Sequence, residues 1–139
     1  VGFSGDGAYG IAVTELTAIG RGEWPAVTMI VFRNYQWGAE KRNSTLWYED
    51  NFVGTELDTQ VSYAGIAQAC GLQGVQVQTM DELRDSLSKA IEDQMKHGKT
   101  TLIEAMINQE LGEPFRRDAM KKPVAVAGIR ASDMRPQTV

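Results

Sequence analysis

The feature that most limits the fold of this chain is an alternation: short apolar, β-branched runs of strand length take turns with segments whose apolar residues recur at helical spacing. Tyr9 to Gly20 carries Ile11, Ala12, Leu16 and Ile19 on a helix-like face, and Gly20 and Gly22 stop it. Ala26 to Phe32 is a continuous apolar run of the kind found in interior parallel strands. Val61 to Cys70 reads as a small-residue helix ended by Gly71, Gly74 to Val77 as a short strand, and Thr101 to Ile107 as a further buried strand. Thr79 and Glu82 have capping-box spacing, in which a hydroxyl and a carboxylate satisfy amides at opposite sides of a first helical turn. Leu83, Leu87 and Ile91 then predict that helix's buried stripe, and Lys96, His97 and Gly98 its end. The whole order predicts an α/β fold, a mostly parallel sheet with helices on both faces and right-handed crossovers.

A chain of 139 residues is about one domain long and can bury a core. The pattern divides it into a partial α/β domain over residues 1–108 and an irregular C-terminal arm over 109–139, where Gly112, Pro114, Pro123 and Pro136 break any long element. The start, Val1-Gly2-Phe3-Ser4, lacks Met and meets a glycine-rich turn almost at once, so the domain is expected to be truncated at its N-terminus. A net charge of -4 gives no electrostatic footprint for nucleic acid or an anionic membrane. With no run of 18 apolar residues, no signal-peptide layout and a single cysteine, Cys70, expected to be buried and inert, the cytoplasm is the expected compartment. The polar, aromatic-rich connection from Asn34 to about Asp58 is long enough to suggest function.

Gly5-Asp6-Gly7 lies between a strand end and a helix start, where glycines let backbone amides approach a ligand. Alone it is an ordinary turn, but the next segment adds weight. A helix of about 14 residues descends roughly 21 Å, and a strand of about 7 residues climbs back roughly 23 Å. Asn34 is therefore expected beside Asp6 at the carboxyl edge of the sheet, where open α/β sheets bind ligands. A carboxylate, an amide carbonyl and a main-chain carbonyl from the turn Asn34 to Gly38 form a hard-oxygen set suited to magnesium.

Gly-Asp-Gly, a helix, an apolar strand and Asn-x-Gln-x-Gly, spanning Gly5 to Gly38, resemble the metal and diphosphate motif of thiamine diphosphate-dependent enzymes. The resemblance implies the thiamine diphosphate-binding fold, with thiamine diphosphate and Mg2+ as cofactors. It implies Asp6, the Asn34 side chain and the Gln36 main-chain carbonyl as metal ligands. Gly5, Gly7, Ala8, Trp37 and Gly38 join them around the cofactor, with the Gly7 and Ala8 amides against the diphosphate. Tyr35 directly after Asn34 is a departure that leaves the ligand positions undisturbed. The blocks Val31 to Tyr48, Asn51 to Leu57 and Gln109 to Pro123 extend the resemblance to an acyltransferase branch of the family, in which a small sulfonated aldehyde and phosphate give an acyl phosphate and sulfite. The alternatives are another branch, acetolactate-synthase-like or decarboxylating, and a cofactor-binding or assembly module without turnover of its own.

In this family the Glu that activates the cofactor's aminopyrimidine sits on a separate pyrimidine-binding domain, of the same enzyme or a partner subunit, and the complete protein is expected to be a homo-oligomer. Glu15, Glu40 and Glu56 are not candidates for that role, and the chain alone is expected not to turn over. Lys41, Arg42, Arg116 and Arg117 are candidates for substrate sulfonate or phosphate contacts, since such cations chelate oxyanions, with a solvated basic surface as the rival reading. Trp37, Trp47 and Tyr48 line the cofactor mouth or pack between domains. His97 reads as a helix-end residue.

Overall fold

The computed structural model describes residues 1–49 and 51–109. Arg116, Arg117 and the arm from residue 110 onward lie outside the described residues, as does the side chain of Trp47. Four strands, β1 (Gly2–Gly5), β2 (Thr28–Arg33), β3 (Gln73–Val77) and β4 (Thr101–Met106), pair in parallel in the order β1-β2-β4-β3. Strand β4, the last of the four in sequence, thus lies inside the sheet, with Val31 of β2 and Gln76 of β3 both in register with Glu104. Alternation sends Val31 and Leu102 to one face, where Leu16, Tyr63, Ala64 and Ala67 close on them, and Ile30, Ile103 and Ala105 to the other, where Val77 and Ala90 pack. Helices cover both faces: α4 (Tyr63–Ala69) one, α5 (Met80–His97) the other. Among the described residues no helix is long and apolar enough to cross a membrane.

Several local expectations need correction. The first helix is broken into α1 (Asp6–Ile11), a 3-10 turn (Val13–Glu15) and α2 (Leu16–Gly20). Gly10 and the β-branched pair Val13-Thr14 lower helix propensity there, and Ile11, expected to face the sheet, is 75% exposed. Gly10 is needed, since a Cβ at that position would lie 2.6 Å from the Tyr63 hydroxyl. The connection from Asn34 to Asp58 contains a helix, α3 (Gly38–Trp47), whose run Ala39-Glu40-Lys41-Arg42 favours helix without forming an apolar stripe. In α5 the capping box of Thr79 and Glu82 is formed and Gly98 takes the left-handed cap, with φ 61°. Its buried stripe, however, passes from Leu87 to Ala90 and leaves Ile91 exposed, as a 3.6-residue period requires. Cys70 is half-buried, not buried, because it is the residue on which α4 ends.

Candidate functional site

Strand β1 ends at Gly5 and strand β2 at Arg33, so the residues that follow them emerge side by side at the carboxyl edge of the sheet. There a cleft of about 300 Å³ is lined by Gly5, Asp6, Gly7, Ala8, Asn34, Gln36, Trp37 and Gly38, together with Phe32, Ala39 and Glu40. All eight residues expected around a cofactor therefore border one space. No atom lies within 4 Å of the position a Gly5 Cβ would occupy, whereas a Cβ on Gly7 would meet the Trp37 indole at 3.0 Å. The Trp37 ring thus seats on the Gly-Asp-Gly turn, and a Cβ there would push it back by a few tenths of an ångström.

Asp6 is 1% exposed, and its carboxylate is held from three directions. Oδ1 accepts the Gly7 N–H at 2.9 Å, and Oδ2 accepts the Tyr35 N–H at 2.7 Å and the Arg33 guanidinium at 3.5 Å. Tyr35 delivers its amide by adopting φ 61°, a left-handed conformation that costs a non-glycine residue about 1–2 kcal/mol. Among the described residues the Asn34 Oδ1 accepts the Gln36 N–H, at 3.3 Å. A bridge between Gln36 and Glu56 is made by the flanking groups, Trp37 N–H to the Thr55 carbonyl and Leu57 N–H to the Tyr35 carbonyl, so Gln36's own carbonyl takes no part in it. Among the described residues no three His, Cys, Asp or Glu side chains cluster to hold a metal. A cation at this edge would instead draw on one carboxylate, an amide oxygen, a main-chain carbonyl and the oxygens of a ligand, a set that suits magnesium.

Of the four basic residues expected near the anions, Lys41 and Arg42 are described, and they lie outside this cleft. Lys41 on α3 hydrogen-bonds Glu56, holding that carboxyl below its usual range, and its ammonium sits 5.3 Å from the Phe52 ring centre. Neither Lys41 nor Arg42 borders the cleft, while Glu40, set aside by the sequence reading, does so as an exposed side chain.

Arg33 and Glu104 went unnoticed in the sequence, although Glu104 interrupts one apolar strand run and Arg33 closes another. Both are buried on the α4 face of the sheet, 1% and 0% exposed, with Arg33 Nε 3.4 Å from Glu104 Oε1. Arg33 also donates to the carbonyls of Asp58 and Val61, at 2.6 and 2.9 Å, and lies 4.4 and 4.9 Å from the Tyr35 and Tyr63 ring centres. Glu104 Oε2 accepts from Ser62, the Ala64 N–H and Gln76, placing a negative charge at the start of α4. The Tyr63 hydroxyl donates to the Asp6 carbonyl at 3.0 Å, and burial raises its pKa against the lowering pull of Arg33. A charged residue within a continuous buried-strand pattern was the available signal, because such a group must find a partner.

Fold and site together define a class: parallel α/β domains that offer a ligand an oxygen-lined cleft where the strands end. Residues 1–105 match the family described as thiamine pyrophosphate enzyme, C-terminal TPP binding domain, and the chain belongs to that family. It is 82% identical over its whole length to the sulfoacetaldehyde acetyltransferase of Roseovarius nubinhibens, of which it spans 23%. It is 48% identical over 89% of its length to the sulfoacetaldehyde acetyltransferase of Castellaniella defragrans, of which it spans 20%. The benzoylformate decarboxylase of Polynucleobacter necessarius shares the fold, with a TM-score of 0.67 at 24% identity over 81% of this chain and 20% of that one.

Proposed function

We propose that this chain holds the magnesium and diphosphate of thiamine diphosphate within a longer enzyme that converts sulfoacetaldehyde and phosphate to acetyl phosphate and sulfite. The cleft that brings Asp6, Asn34 and Gln36 to one sheet edge carries the reading. Asp6, the Asn34 amide oxygen and the Gln36 main-chain carbonyl are the metal ligands; the Gly5 to Ala8 turn gives a diphosphate open space on its Gly5 side, and Trp37 and Gly38 wall the cleft. The cofactor, when bound, supplies a nucleophilic carbon and an electron sink. This chain's share is to hold one end of it: the buried, triply held Asp6 fixes the cation, and the cation offsets the diphosphate charge.

The choice of substrate is supported by the likeness to sulfoacetaldehyde acetyltransferases along the whole chain. The pyrimidine-binding domain and its activating Glu belong to the rest of the enzyme, a cytoplasmic homo-oligomer in this reading. Lys41, paired with Glu56, and Arg42 do not border the cleft and are weaker candidates for the anions than Arg116 and Arg117. The fold shared with a decarboxylase does not separate the chemistries, so the products of the complete enzyme must. Acetyl phosphate and sulfite are expected, and carbon dioxide release from a 2-oxo acid without them would favour the decarboxylating alternative. Titration calorimetry of the complete enzyme tests the site: Asp6→Asn is expected to weaken magnesium-dependent cofactor binding by on the order of 100-fold. Unchanged binding in that variant would refute the metal role of Asp6.

A further inference from the structure

Resting on the metal reading above, we propose that Arg33 is a positioning residue for Asp6, and that Glu104 neutralises it so that a cation can be tolerated nearby. Three observations carry this. First, Arg33 is the only side chain with a described hydrogen bond to the Asp6 carboxylate; the other two donors are main-chain amides. Second, its guanidinium is locked: one nitrogen is spent on the Asp58 and Val61 carbonyls, Nε faces Glu104, and the Tyr35 and Tyr63 rings lie within cation–π range. A group fixed on so many sides transmits its position to whatever it touches, and lysine, a single point charge, lacks the fork to do so. Third, Glu104 is wholly buried in a central strand and is itself fixed by Ser62, the Ala64 amide and Gln76. The Arg33–Glu104 pair carries no net charge, so it orients the Asp6 carboxylate with little net repulsion of a divalent ion.

The sign of the effect separates this arrangement from its rival. If Arg33 were only a positive charge close to the metal, removing it would strengthen magnesium binding. A positioning role predicts the opposite.

The decisive variant in the complete enzyme is the double replacement Arg33→Met with Glu104→Met, which removes the pair without leaving either charge buried alone. Magnesium is titrated by calorimetry in the presence of thiamine diphosphate, and cofactor retention is followed by gel filtration without substrate. The double variant is expected to need at least ten-fold more magnesium for half-saturation. Glu104→Gln, which leaves Arg33 uncompensated, is expected to weaken magnesium binding as well, and Arg33→Lys to fall between the double variant and the parent. Thr79→Ala, which loosens α5 on the other face, is expected to lower the unfolding temperature without moving the magnesium titration. A double variant that binds magnesium as tightly as the parent, or more tightly, overturns the proposal. If the parent itself retains cofactor without any divalent ion, the metal reading beneath it fails instead.

Discussion

Tyr9 meets Tyr63 edge to face, ring centres 5.5 Å apart, and burial pushes its phenol up to about 12, aided by Cys70 and Tyr63. The folded chain therefore keeps this proton more firmly than the unfolded chain, whose tyrosines ionise near 10. The corresponding stability is complete below pH 10 and is lost as the pH rises toward 12. Denaturation midpoints measured from pH 9 upward are expected to fall in that window, and less steeply in Tyr9→Phe; an equal slope in both proteins would assign the loss to other groups. Tyr63, whose pKa is also raised, accounts for a residual slope. At this scale the sequence was readable where chemistry follows chain position. Asp6 and Asn34 each follow the end of a strand, and parallel pairing of β1 with β2 brings them to one edge even though the helix counted between them is broken. Arg33 and Glu104 were not readable in the same way, because their meeting depends on β4 lying beside β2, and pairing order is not written in either strand.

Gly74 in β3 shows how closely the elements are fitted. A Cβ there would fall 2.1 Å from the Ala64 carbonyl oxygen in the first turn of α4, so neither backbone could keep its place. Gly74→Ala is expected to destabilise by about 2–3 kcal/mol, as overpacking does when no flexible side chain can yield. Denaturant unfolding measures this, and a loss under about 0.5 kcal/mol would mean the strand and helix separate easily. The better-defined elements were legible for local reasons: α5 had a complete capping box and a left-handed glycine stop, and the two inner strands, β2 and β4, were largely apolar runs. Helix α3 was missed because its polar surface carries no apolar period to detect. The break in the first helix was missed because apolar spacing alone does not register Gly10 lying against Tyr63.

At the level of the whole molecule, the chain spans about a quarter of the sulfoacetaldehyde acetyltransferase it matches end to end. Phe3, Ile11, Trp24, Tyr48 and Val53 are all more than half exposed. The isolated chain is expected to form no acetyl phosphate, since one side of the cofactor site is assigned to another domain; turnover by the purified chain would show that no second domain is needed. The place of β4 in the sheet has a consequence for synthesis. While the ribosome has delivered the polypeptide only as far as α5, β2 and β3 have a vacant lane between them, each with open backbone donors and acceptors that a neighbouring nascent chain could capture. Only β4 fills that lane, and β4 carries Glu104, so the sheet cannot close without setting Glu104 beside Arg33.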